Sequence, residues 1–101
     1  MTRRALILAA TVLAIAPAIA RAQPSDEVSR EDRERARERF EWGVQAAASG
    51  DFSGALDAFR ESYTLNPRPV VLLNIGSCQQ QLGDLRGALE SYRAYLATAG
   101  D

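Results

Sequence analysis

The 101-residue chain has no histidine and no lysine, and only one cysteine, one methionine and one tryptophan. Without histidine, neither a Ser-His-Asp triad nor a Cys-His pair can be assembled, and the common zinc sets lose their usual nitrogen ligands. With Cys78 alone there is no intrachain disulfide, so packing must hold the fold. The net charge of -1 offers no basic footprint for nucleic acid. The length leaves room for one small domain and not for a catalytic domain with an accessory one. These absences exclude most enzyme classes, and nothing in the composition calls for a metal or a cofactor. What is present is the composition of a folded protein, 47% hydrophobic and 25% charged, with arginine as every basic residue.

The first residues read as an address. Arg3 and Arg4 form a basic head, residues 5–16 are apolar except for Thr11, and Pro17 ends the run before small side chains. This is the layout of a secretory signal peptide covering residues 1–22. Ala20-Arg21-Ala22 places small residues where a peptidase needs them, and Ala18-Ile19-Ala20 is the competing cleavage site. An uncleaved anchor is the alternative, but residues 5–20 fall short of the roughly 20 apolar residues of a membrane span. The expected location is periplasmic or otherwise extracytoplasmic, with no stable membrane insertion after cleavage.

Beyond Pro24 the chain repeats itself. Gly50-Asp51-Phe52-Ser53-Gly54-Ala55-Leu56 returns as Gly83-Asp84-Leu85-Arg86-Gly87-Ala88-Leu89, an offset of 33 residues that also relates Gly43 to Gly76, Phe59 to Tyr92 and Arg60 to Arg93. A period of this size is the mark of stacked helical hairpins. Gly50 and Gly83 can take the left-handed conformation that closes a helix. Asp51 and Asp84 then follow as N-caps of the next helix. Ala55 and Ala88 allow close helix approach, and Leu56, Phe59, Leu89 and Tyr92 supply the apolar stripe. Asn66-Pro67-Arg68-Pro69 forces a turn, with Pro69 suited to the first helical position. The spacing predicts helices near 27–49, 52–65, 69–82 and 85–98. The expected fold is all-α: tandem antiparallel helix-turn-helix hairpins, an α-solenoid of about two units.

These residues resemble the tetratricopeptide repeat family. Gly43, Gly50, Asp51, Phe52, Ala55, Phe59 and Pro67 match its pattern in the first copy, and Gly76, Gly83, Asp84, Leu85, Ala88 and Tyr92 in the second, with Asn74-Ile75 ahead of Gly76. The likeness covers about residues 36–97 and gives units at 36–67 and 69–99 after a charged lead-in at 23–35. The chain departs from the pattern at Arg39, where a large aromatic is expected and for which Phe40 and Trp42 are substitutes, and at Ala46 and Gln79, where tyrosine is expected.

The resemblance implies a concave surface lined by the first helix of each hairpin, holding a protein or peptide partner without catalysis. Carried across by position, the partner-binding residues are Arg37, Phe40, Val44, Ala47 and Ala48 in the first copy. In the second they are Val70, Leu73, Asn74, Ser77, Gln80 and Gln81. Asn74 can hold a partner's backbone through one donor and one acceptor, or bond the neighbouring hairpin. Arg37 can pair with a carboxylate or stand solvated, and no two-cation clamp is visible on this face. Cys78 reads as a buried thiol or as a redox-active one.

Residues 26–41 mix opposite charges at helical spacing, as at Asp26/Arg30 and Glu31/Arg35, and predict a solvated helix that frays over 28–35. Helix 85–98 carries Leu89, Tyr92, Tyr95 and Leu96 with no further helix predicted to cover them. That face suggests an alternative role as a self-assembly module forming homo-oligomers.

Overall fold

The computed structural model describes residues 27–99; the signal peptide and cleavage site expected from the sequence lie outside them. Four helices follow in order: α1 Arg30–Ala48, α2 Phe52–Leu65, α3 Pro69–Gln81 and α4 Leu85–Ala99. Each packs on the next, and the α1–α2 and α3–α4 pairs are antiparallel hairpins. The described residues are thus all-α, built as two tandem hairpins with no strand.

The boundaries follow from local chemistry, written twice. At the end of α1 the Gly50 N–H donates to the Ala47 carbonyl at 3.0 Å and the Asp51 N–H to the Ala46 carbonyl at 2.8 Å, with Gly50 at φ 87°. At the end of α3, Gly83 donates to Gln80 at 3.0 Å and Asp84 to Gln79 at 2.8 Å, with Gly83 at φ 82°. Both are paired closures that satisfy carbonyls left over at a helix end. The aspartates then turn outward to start the following helix. Asp51 Oδ1 accepts from the Gly54 N–H at 2.9 Å, and Asp84 Oδ1 from Gly87 at 3.0 Å. The interhairpin turn also forms as its prolines require. Asn66 closes α2 in an extended conformation, and Pro69 is the first residue of α3.

The lead-in expected to fray is instead the formed first part of α1. Ser29 Oγ caps it by accepting from the Asp32 N–H at 3.0 Å, and Glu31 and Asp32 sit in the first turn, where the dipole favours acid. The helix starts at Arg30 because Ser29 takes the cap, and it continues without a break into the first hairpin.

The hairpins close by one device used twice, glycine against an aromatic ring. A Cβ built on Gly43 would come within 2.8 Å of the Phe59 ring, and one on Gly76 within 2.5 Å of Tyr92. Only a bare backbone lets either ring come so close to the opposite helix. Ala55 and Ala58 are fully buried beside Phe59, and Ala88 is buried on the inner face of α4. The main core lies between α2 and α3, where Leu56 and Phe59 meet Val71, Leu72, Ile75 and Cys78. In α1–α2 the Ser62 hydroxyl adds a buried bond, donating to the Ala36 carbonyl at 2.7 Å.

Position 33 residues apart is not always equivalent in packing. Of the two aromatics near the expected helix A position, Phe40 is the one that packs, its ring centroid 5.3 Å from that of Phe59 and tilted by 57°. Trp42 remains 47% exposed, with the Arg39 guanidinium 5.1 Å above its ring. Arg39 Nε also lies 2.8 Å from Glu61 Oε2, an ion pair whose N–H is off the line to the oxygen and forms no hydrogen bond. Leu89 matches Leu56 in the repeat but lies on the face for which no covering helix was predicted, and it is 48% exposed. Its counterpart is buried because α3 stands against α2, and no described helix stands in the same place against α4.

The outer flanks of the two hairpins therefore differ. The α3 face that covers α2 is Val71, Leu72, Ile75 and Cys78. The same positions of α1 are Glu38, Arg39, Trp42 and Gln45, a mainly polar and solvated surface. On the far side of α4, Leu85, Leu89 and Leu96 stand open.

Adding a methyl at the close contacts should destabilise by about 1–3 kcal/mol through overpacking. Gly43→Ala is expected to cost more than Gly76→Ala, because Phe59 is sealed in the core and the half-buried Tyr92 can swing aside. Urea unfolding of the two variants measures the order directly.

Candidate functional site

The residues expected to hold a partner lie on α1 and α3 and differ in how free they are. Arg37, Val44, Ser77, Gln80 and Gln81 are exposed, as are Ala48 and Val70. Phe40, Leu73, Asn74 and Ala47 are half-buried. Phe40 and Ala47 pack against the core, so their side chains serve chiefly the fold. Phe59 occupies one side of the Phe40 ring, which stays half-buried and not fully enclosed.

Asn74 does not bond the neighbouring hairpin. Its Nδ2 donates to the Val70 carbonyl one turn back on α3, at 3.3 Å. That distance is beyond the usual range for an N–H···O bond, so the interaction is weak and cheaply exchanged. Gln80 is partly engaged, since its Oε1 accepts from the Tyr92 hydroxyl at 3.1 Å. Gln79 is buried and accepts from the Ser91 hydroxyl at 2.6 Å. In the first hairpin these two positions are Ala46 and Ala58, so a pair of small apolar residues has become a hydrogen-bonded pair. The tyrosine missing at Gln79 is thus replaced by a polar link between α3 and α4.

A cavity of roughly 210 Å³ opens where α1, the end of α2 and the start of α3 meet. Arg33, Ala36, Arg37 and Phe40 line it from α1, Ser62 and Asn66 from α2 and its cap, and Arg68 and Val71 from the turn and α3. Arg37 and Phe40 belong to the expected set; Val44, Leu73, Asn74, Ser77, Gln80 and Gln81 lie outside the cavity. Three arginines are among its lining residues and no acidic residue is. Arg68 comes from the interhairpin turn and joins this lining only through the fold. Arg33 and Arg37, four apart on one helix, were the available signal.

Cys78 is 3% exposed within the α2–α3 core. Burial pushes its thiol pKa up, so less thiolate is present at neutral pH than for a free cysteine. Both shielding and the upward shift oppose nucleophilic chemistry. Among the described residues no group of three potential metal ligands is assembled, and no helix is long and apolar enough to cross a membrane.

The chain matches no protein-family model, and no curated protein or solved structure is significantly similar to it.

A soluble disulfide reagent should leave Cys78 unmodified in the folded chain and modify it promptly in denaturant. Rapid reaction without denaturant, followed at neutral pH by absorbance of the released thiol, would show the core to be open.

Proposed function

We propose that the protein is a tetratricopeptide-type binding module that acts outside the cytoplasm, holding a peptide or protein along the α1 and α3 surface and performing no chemistry itself. The observation that carries this reading is the duplication at offset 33 of one complete hairpin plan: the glycine closure, the aspartate cap and the glycine–aromatic contact. A repeat whose turn chemistry and internal packing recur together is a scaffold plan, and scaffolds of this type use their exposed helix faces to bind. The buried, pKa-raised thiol and the lack of histidine agree with a non-catalytic role. The basic head and apolar run at the start of the chain support export.

The α3 surface supplies the test. Asn74 gives up only a long bond to its own helix, and Gln81 is exposed, so replacing both by alanine should leave the fold intact. Partner recovered from an envelope extract by the Asn74→Ala/Gln81→Ala variant should fall about tenfold against the parent chain, the loss expected for a few hydrogen bonds. Equal recovery by both, with equal thermal midpoints, removes this surface from the binding role.

A second reading, self-assembly through α4, is favoured by one specific observation, the exposed row Leu85, Leu89 and Leu96. Tyr95 is packed against the core and its replacement would disturb the hairpin, whereas Leu96 is 66% exposed and can be changed without that cost. If the chain assembles, Leu96→Glu should convert it to monomer by light scattering. A parent chain that is monomeric at high concentration disposes of this reading.

A further inference from the structure

We infer that the concavity beside Trp42, at the end of α1 and the start of α2, is a binding site for the ring of a neutral pyranose sugar. It lies on the outer flank of the first hairpin and does not depend on the peptide-binding reading above.

Comparison of the two hairpins singles the place out. Val71, Leu72, Ile75, Cys78 and Leu82 correspond, at the offset of 33, to Glu38, Arg39, Trp42, Gln45 and Ser49 of the first copy. All of these apolar positions but one have become polar, as solvation of an uncovered flank requires. The exception carries the chain's one tryptophan, which stands 47% exposed. Solvation alone calls for a polar residue there, and a large exposed aromatic is the opposite choice. The ring is also held in place. The Arg39 guanidinium, one turn earlier on α1, lies 5.1 Å from its centroid, and Arg39 Nε is 2.8 Å from Glu61 Oε2 on α2. Toward the other end of the helix, Trp42 borders an open concavity of roughly 350 Å³ whose remaining lining is Gln45, Ala46, Ser49 and Asp51.

That lining defines the ligand. It contains no arginine, so an anion finds no counter-charge. A cation would meet a ring that already faces Arg39, and a single carboxylate, Asp51, with one oxygen committed to the Gly54 N–H at 2.9 Å. What the site offers is a flat apolar plate edged by hydrogen-bonding groups. The exposed Gln45 amide both donates and accepts, and Asp51 has a second oxygen. The Ser49 hydroxyl donates to the Ala46 carbonyl at 2.9 Å and still accepts. A pyranose matches this set, because one face of its ring presents C–H groups that lie against an indole while the hydroxyls around its edge donate and accept. The ring is rigid, so little freedom is lost on binding and a shallow site can hold it. The volume is near the lower end of the about 300–1,000 Å³ of small-molecule sites and suits one or two sugar units.

The test uses the one tryptophan as its own reporter, alongside chemical shifts of the isotope-labelled chain. Tetra-N-acetylchitotetraose and cellotetraose are titrated as separate arms. Sorbitol, which has the hydroxyls without the rigid face, and tetramethylammonium are the controls. At least one sugar should change the Trp42 emission and shift the amides of Gln45, Ala46 and Asp51, with half-saturation below about 10 mM. The two arms tell an N-acetylated hexose from a plain one. Trp42→Leu keeps apolar bulk without the flat ring and should weaken the binding followed by amide shifts about tenfold or more, at unchanged helicity. Asp51→Ser preserves a helix cap and should weaken it about threefold. Neither sugar binding at about 10 mM would overturn the inference. So would sorbitol binding as well as the sugars, tetramethylammonium binding more tightly, shifts that avoid Gln45 and Asp51, or full affinity in Trp42→Leu.

Discussion

The structure depends on the contact between a backbone without a side chain and an aromatic ring, made once in each hairpin. Gly43 under Phe59 and Gly76 under Tyr92 set how closely the two helices of a pair approach. The buried alanines Ala55, Ala58 and Ala88 are useful only at that separation. Ser62 reaches the Ala36 carbonyl because the α1–α2 pair is this close, and Gln79 meets Ser91 for the same reason in the other pair. Glycine inside a helix costs roughly 1 kcal/mol relative to alanine. Here the cost is offset by aromatic area laid against backbone and by two tightly joined helices.

Much of the fold was legible in the sequence because its determinants are local. Gly50-Asp51 and Gly83-Asp84 contain both the end of one helix and the cap of the next, so spacing alone placed the turns. Pro67 and Pro69 fixed the join between hairpins in the same way. The rest was less legible because distant residues decide it. Leu89 matches Leu56 in sequence, yet its exposure depends on whether a helix stands opposite it. Phe40 and Trp42 were equal candidates for one position, and only the Phe59 ring distinguishes them. The start of α1 was misplaced by three residues because the Ser29 cap outweighs the charge pattern that extends ahead of it.

The candidate site was less legible than the scaffold. Groove positions taken from a family pattern identify a face, but not the present occupation of each side chain. Phe40 is committed to the core, Gln80 partly to Tyr92, and Asn74 only loosely to its own helix. The arginine-lined cavity depends on Arg68 arriving beside Arg33 and Arg37 from more than thirty residues away in the chain. Sequence spacing carries no direct trace of that convergence. On α1, Arg33 and Arg37 border one concavity, while Glu34, Glu38 and Glu41 line another with Arg37 among them.

The unlike flanks give the molecule a polarity. To stack in series, one copy would have to press Glu38, Arg39 and Gln45 of its α1 onto the leucines of another copy's α4, stripping water from polar groups that gain no partner there. Such fibres are therefore disfavoured by the same substitutions that make the first hairpin soluble on its outer side. Any contact made through α4 is steered toward a two-fold arrangement that closes on itself, or toward an apolar helix of other origin, and the length of an assembly is limited by the chemistry of a single helix flank.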